Sequence, residues 1–131
     1  MPLKTRIDHD RRVVIVYGEG LLTDAEILDY QRTVWSDPAV TGYNELVDMT
    51  KVTDVRPYSP SGIKQFAIGV ARTDAQTLSE RLAIVAPNDL AFGLARMYQA
   101  YREISPAATK QVAVFRDRAS ALQWLGLEES D

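Results

Sequence analysis

The spacing of apolar residues constrains the fold of this chain most strongly, because two different periods alternate along it. Near-continuous β-branched runs such as Val13 to Tyr17 are typical of buried strands. Between these runs, apolar residues recur every three or four positions, which is the spacing of one helix face. The predicted order is ββαβαβαβα, with strands within 5–10, 11–20, 44–50, 81–87 and 111–117, and helices within 21–35, 59–72, 88–104 and 118–127.

A residue that can cap a helix stands before each predicted helix. Its side-chain oxygen can accept a hydrogen bond from a free backbone N–H of the first turn. Thr23 also has Glu26 three residues later, which is the pattern of a capping box. Gly126 is expected to end the last helix. The expected caps are Thr23, Asn88 and Asp117, together with either Ser59 or Ser61.

Strands that alternate with helices across short loops predict an α/β fold with a mostly parallel sheet of about five strands. The first strand should be an antiparallel edge strand, joined to the second by a tight turn around 8–11. A chain of 131 residues is expected to form one domain spanning 1–131. Ligands and partners of such sheets usually meet the carboxyl ends of the strands. The segments expected there are 18–20, 48–54, 87–89 and 116–118.

Composition excludes several classes of function. The sequence has no cysteine, which excludes disulfides, thiolate nucleophiles and cysteine metal sites. Its net charge of -3 gives no reason to expect nucleic acid or an anionic membrane as a partner. No apolar run approaches the roughly 18 residues of a membrane-spanning helix. The sequence therefore predicts a cytoplasmic protein without a membrane span.

The polar residues near the predicted strand ends favour turns over catalysis. Gly18 and Gly20 match only part of a dinucleotide-binding glycine motif, so they are interpreted as turn glycines. Asp48 and Asp54 could bind a hard cation or share a proton, but no third ligand accompanies them, and backbone hydrogen bonds in turns are the favoured role. The single histidine, His9, falls in the predicted hairpin turn. No enzyme activity, metal or cofactor is predicted.

Two short motifs resemble a known family. The stretch LVDMTKVTDV, followed by SPSGI and a helix, resembles the SpoIIAA-like (STAS-like) domains of sulphate transporters and anti-sigma-factor antagonists. In that family one strand ends in Asp-Leu-Ser, and an Asp-Ser-Ser-Gly begins the next helix. Here 48–50 reads Asp-Met-Thr and 59–62 reads Ser-Pro-Ser-Gly, and the loop between them is expected to be longer, through 55–58. The resemblance implies a regulatory or protein-interaction module.

The phosphorylated serine of that family is not retained, because Pro60 stands at its position. Ser59 and Ser61 remain nearby, and a phosphate would be favourable at a helix N-terminus, but capping is the favoured role. The surface predicted to bind a protein partner is formed by Asp48, Thr50, Asp54, Ser59 and Ser61.

The predicted helix in 88–104 carries more apolar residues than one buried face needs. Its stripe expected to face the sheet is Leu90, Leu94, Met97 and Tyr101, and its surplus apolar residues include Phe92, Gly93 and Ala100. This surplus could pack on a neighbouring helix, form a homodimer interface or line a pocket. The alternative function is therefore a carrier or sensor of a small apolar ligand or lipid, comparable to Sec14-like domains. The residues predicted for that dimer or ligand face are Phe92, Gly93, Met97 and Tyr101.

Overall fold

A computed structural model describes residues 3–56 and 59–127, which form one five-stranded sheet with its helices. The strands are β1 (Lys4–Asp8), β2 (Val13–Thr23), β3 (Asn44–Arg56), β4 (Arg81–Val85) and β5 (Gln111–Phe115). The α-helices are α1 (Asp24–Val34), α2 (Pro60–Ala71), α3 (Asp74–Thr77), α4 (Asp89–Glu103) and α5 (Arg118–Trp124), with a short 3-10 helix at Pro38–Val40. The predicted order of elements is confirmed, apart from α3 and the 3-10 helix, which were not predicted.

The strands lie in the sheet in the order in which they occur in the chain. β1 pairs antiparallel with β2, whereas β2, β3, β4 and β5 are all parallel to one another. The prediction of a mostly parallel sheet with an antiparallel edge strand is thus confirmed. Since consecutive parallel strands are neighbours, each crossover connection joins adjacent strands and steps across the sheet in the same direction.

The two faces of the sheet are covered unequally. One face, called here the three-helix face, carries Val14, Val16 and Ile84 and packs against α1, α2 and α4. The opposite face, called here the α5 face, carries Val13 and Ile15 and packs against α5. Side chains alternate between the two faces because successive residues of a strand point in opposite directions. Both faces are buried, which explains the near-continuous apolar run in β2.

β2 and β3 are longer than predicted. Their pairing continues past the predicted ends, from Glu19 opposite Lys51 to Thr23 opposite Arg56, with register shifts on the way. Consequently the segments 18–20 and 48–54 lie within strands, and the prediction that Asp54 lies in a loop is wrong. Of the predicted longer loop, 55–56 belongs to β3, whereas 57–58 lie outside the described residues.

The predicted helix starts are confirmed, and the choice between two serines is decided. The hydroxyl of Ser59 accepts a hydrogen bond from the backbone N–H of Gly62 at 3.1 Å, so Ser59 caps α2 and Ser61 lies in its exposed first turn. Gly126 has a φ of +78°, the left-handed conformation expected after a helix end. Thr23, Asn88 and Asp117 accept equivalent bonds at the starts of α1, α4 and α5.

The predicted buried face of α4 is wrong. The buried residues of this helix are Ala91, Ala95 and Arg102, whereas Leu90 is 47% exposed. Small alanine side chains let the helix lie close to the sheet, so the larger apolar residues are turned away from the centre of the contact. The predicted stripe of Leu90, Leu94, Met97 and Tyr101 is therefore rotated towards the rim of the buried face.

Candidate functional site: an apolar cavity

A partly enclosed cavity lies between the three-helix face and helices α1, α2 and α4. Its volume is about 120 Å³, and its lining is overwhelmingly apolar. Small-molecule sites in proteins are usually concave and mostly apolar, as this cavity is. The apolar walls include Val16 and Val47 from the sheet, Ile27 from α1, Ile63 and Phe66 from α2, and Leu94 from α4.

The missing side chain of Gly18 shapes the floor of the cavity. Gly18 lines the cavity and lies next to a register shift between β2 and β3. A Cβ atom at this position would lie 2.7 Å from Cγ2 of Val52, which is too close for any ordinary contact. Glycine therefore permits the close approach of the two strands at this point, and it leaves the space above them open.

Aromatic residues of α2 and α4 form one wall. The rings of Phe66 and Tyr98 pack against each other with centroids 5.7 Å apart. Both residues line the cavity. Burial raises the pKa of Tyr98 far above its ordinary value, so its hydroxyl stays protonated and neutral at physiological pH. The wall therefore presents a neutral surface to a bound molecule.

A buried polar network closes one end of the cavity. The Tyr30 hydroxyl donates a hydrogen bond to Oε2 of Glu45 at 2.5 Å, and Nε1 of Trp35 donates a hydrogen bond to the Tyr30 oxygen at 2.8 Å. Nζ of Lys110 lies 3.3 Å from Oε1 of Glu45, and these two side chains are only 3% and 2% exposed. Burial, together with the Glu45 carboxylate, raises the pKa of Tyr30 well above its ordinary value. The charge of Glu45 is thus balanced within the protein.

A second buried ion pair stands behind this network. Nη2 of Arg102 donates to both carboxylate oxygens of Asp74, at 2.9 and 2.8 Å. The same carboxylate accepts hydrogen bonds from the backbone N–H groups of Thr109 and Lys110. Asp74 therefore ties α3 and α4 to the segment before β5. Breaking such a pair by removing one partner leaves an uncompensated buried charge.

The end of β3 and the start of α1 border the cavity with polar residues. Arg56 and Asp24 both contribute to the lining and are exposed. Nη2 of Arg56 lies 3.4 Å from Oδ2 of Asp54, one of the residues predicted to bind a partner. Val55 adds an apolar contact beside them. The predicted interaction segment and the cavity are therefore adjacent.

Asp48 and Thr50, two other residues of the predicted partner surface, contact each other but lie far from Asp54. Asp48 lies on the α5 face, where Oδ1 accepts hydrogen bonds from the backbone N–H and the hydroxyl of Thr50, and Nη1 of Arg118 lies 3.4 Å from Oδ2. Asp54 is six residues further along the same strand, roughly 20 Å away in an extended chain. The two carboxylates therefore cannot share a proton or a cation. Their role in binding a protein remains a prediction.

The residues predicted on α4 for a ligand face do not line this cavity. Phe92 is covered instead by the guanidinium of Arg116, which lies 4.0 Å from the ring centroid. Gly93 is exposed, and Met97 and Tyr101 are half-buried. The contributions of α4 to the cavity are Leu94, Ala95 and Tyr98. It remains a prediction that a subunit interface is formed by Phe92, Gly93, Met97 and Tyr101.

His9 has a structural contact. Its Nδ1 lies 2.8 Å from the hydroxyl of Tyr43, and the two rings meet edge to face with centroids 5.7 Å apart.

Within 3–56 and 59–127, no three histidine or acidic side chains are grouped so that they could hold a metal ion. In the same part of the chain, no helix is both long and apolar enough to cross a membrane.

Comparison with known proteins identifies the fold. No protein-family model and no curated protein matches the chain. Among solved structures, an uncharacterised protein of the DUF3478 family from Shewanella loihica PV-4, described as having a SpoIIAA-like fold, superposes with a TM-score of 0.57. The match covers 94% of this chain and 91% of that protein, at 15% sequence identity. The chain has a SpoIIAA-like fold. At this identity the likeness shows the fold alone, so the function has to be inferred from the cavity.

Proposed function

We propose that this SpoIIAA-like chain is a non-catalytic regulatory module whose input is a small apolar ligand held in the cavity. The observation that carries the proposal is the partly enclosed apolar space of about 120 Å³ above the three-helix face. A well-packed core leaves few voids larger than a water molecule, so a space of this size requires an explanation. A mostly apolar molecule would cover most of this lining, which is itself apolar.

The size of the cavity restricts the ligand. A cavity of roughly 150 Å³ lined by aliphatic and aromatic side chains binds benzene in another protein. At about 120 Å³, and only partly enclosed, the present cavity suits a single six-membered ring with at most a small substituent. A complete phospholipid is much larger than this space. The protein would therefore sense a small molecule and would not carry a lipid.

The position of the cavity connects ligand binding to the predicted partner surface. Val55 and Arg56, at the end of β3, contribute to the lining, and Arg56 pairs with Asp54. Ile63, on the first turns of α2, contributes from the other side of the predicted segment. A ligand that contacts Val55 and Ile63 would bridge the end of β3 and the start of α2. A partner that binds Asp54, Ser59 or Ser61 would then sense whether the cavity is occupied.

Ligand binding can be tested by filling the cavity from α4. At about 100 times its Kd, toluene should stabilise the wild type by roughly 2.7 kcal/mol, which raises the melting temperature of a domain of this size by about 10 °C. Leu94→Trp should abolish this shift, since Leu94 lines the cavity. Leu90→Trp, one turn earlier at a position that is 47% exposed and does not line the cavity, should preserve it. Equal toluene shifts in the two variants would contradict the proposed site.

A second candidate function is self-association through the outer side of α4. Leu90 and Ile104 are 47% and 70% exposed, and the small residues Gly93 and Ala100 between them are exposed as well. Exposed apolar residues that follow one side of a helix favour an interface, and symmetric homodimers are the commonest assembly. This surface includes Gly93 of the predicted dimer face and borders Met97 and Tyr101. Such a dimer would be compatible with an occupied cavity.

A further inference from the structure

We propose that the ligand is an uncharged cyclic or aromatic alcohol whose hydroxyl group binds the side-chain amide of Gln31. This inference rests on the proposed function, because it concerns the occupant of the same cavity. Gln31 lines the cavity, and its Oε1 is buried without a hydrogen-bond partner among residues 3–56 and 59–127. Buried polar atoms in native proteins nearly always have a partner, so an unpaired amide oxygen in a binding cavity points to a ligand group that donates a hydrogen bond.

The position of Gln31 in α1 places it on the cavity side of the helix. Asp24, Ile27 and Gln31 are spaced by three and four residues, so they lie along one face of the helix. All three line the cavity. Asp24 is exposed, Ile27 provides an apolar contact one turn further, and Gln31 lies one turn beyond that. The amide is therefore separated from the exposed start of the helix by an apolar turn.

The polar groups of the Tyr30–Glu45–Lys110 network already have partners. The Tyr30 hydroxyl donates to Glu45 and accepts from Trp35, and the second Glu45 oxygen receives Lys110. A ligand that competed for these groups would have to break a buried ion pair or its hydrogen bonds. Binding to Gln31 requires no such exchange. Gln31 is thus the residue that would determine specificity.

The chemistry of the amide and its surroundings defines the ligand class. An amide has both a donor and an acceptor, and a hydroxyl can serve either of them. A charged group is unsuitable beside Gln31, because Asp24 and Arg56 lie at the exposed border of the cavity and Glu45 is already paired with Lys110. A single water molecule is a poor occupant, since buried waters usually make about three hydrogen bonds. The hydroxyl of an apolar ring can donate a hydrogen bond to Oε1 of Gln31, and the ring fills the remaining space.

Phenol and toluene test the inference because they have the same shape and differ only in the polar group. Their dissociation constants are to be measured by calorimetry with the full chain. We expect the wild type to bind phenol about tenfold more tightly than toluene, the factor that one net hydrogen bond provides. Gln31→Leu should reverse this preference, while Arg32→Leu, at an exposed position of the same helix, should keep it.

The possible outcomes separate this inference from the proposed function. If the wild type binds toluene as tightly as phenol, and Leu94→Trp blocks both, the cavity is a ligand site but the role of Gln31 is wrong. If Gln31→Leu retains the preference for phenol, the hydroxyl is bound elsewhere and the inference is again overturned. If neither compound binds the wild type, the proposed function fails, and the inference fails with it.

Discussion

At the scale of single residues, Gly18 shows how the absence of a side chain shapes the site. Gly18→Ala would place a Cβ atom 2.7 Å from Cγ2 of Val52, and the β-branched side chain of Val52 has little freedom to move away. We expect a loss of about 1–3 kcal/mol in the free energy of unfolding, measured by urea denaturation, because extra atoms in a packed region force strain.

A matched glycine provides the control for that substitution. Gly69 lies in α2 and is exposed, and a Cβ atom at this position would meet no neighbouring side chain within 4 Å. Gly69→Ala should therefore stabilise the protein by roughly 0.5–1 kcal/mol through helix propensity. If Gly18→Ala is neutral or stabilising as well, the close approach of β2 to β3 at this point does not constrain the sequence.

The residues that surround the cavity also show where prediction from sequence stops. The caps could be predicted because a cap and the N–H it binds are three residues apart, as with Ser59 and Gly62. The buried network could not, because Glu45 and Lys110 are 65 positions apart. A single glutamate in an apolar strand gives no sign of its partner. The sequence likewise gives no sign that Gln31, a polar residue of a helix, lines a cavity.

At the scale of elements, helices and strands were predicted well where their signals are local. The extensions of β2 and β3 were missed because the polar stretch KVTDVR becomes a strand only through pairing with residues 19–23 of β2. The buried face of α4 was missed because helical spacing alone does not say whether Ala91 and Ala95 or larger residues face the sheet. In both cases a tertiary contact decided what the local pattern left open.

The start of α2 gives an element-scale prediction. Because Ser59 accepts the hydrogen bond from Gly62, Ser59→Ala should reduce the free energy of unfolding by about 1 kcal/mol. Ser61→Ala should be nearly neutral, since Ser61 is exposed inside the first turn and alanine favours a helix. Thermal or chemical denaturation measures both. A larger loss for Ser61→Ala would show that the wrong serine has been identified as the cap.

At the scale of the whole molecule, apolar surface occurs on both sides of α4. Leu94 and Tyr98 line the cavity, whereas Gly93, Ala100 and Ile104 are exposed on the outer side, and Leu90 is exposed in the first turn. A single helix therefore connects the proposed ligand site with the proposed subunit interface. The two surfaces use different residues, so each can be altered while the other is left intact.

Gly93→Arg tests the outer surface. We expect the wild type to be a dimer by light scattering at micromolar concentration and Gly93→Arg to be a monomer, because a large charged side chain would be buried without a partner in the dimer. The variant should still fold, since a Cβ atom at this position would meet no neighbouring side chain within 4 Å. Its circular dichroism and its toluene-induced stabilisation should match those of the wild type.

Ala25→Arg, at an exposed position of α1, is the control and should remain dimeric. A monomeric wild type would disprove the interface directly and would leave the outer residues of α4 as ordinary exposed apolar side chains. A dimer that survives Gly93→Arg would place the interface on another surface. If Gly93→Arg loses both dimerisation and toluene binding while keeping its fold, the two sides of α4 are coupled, because the substituted side chain does not itself enter the cavity.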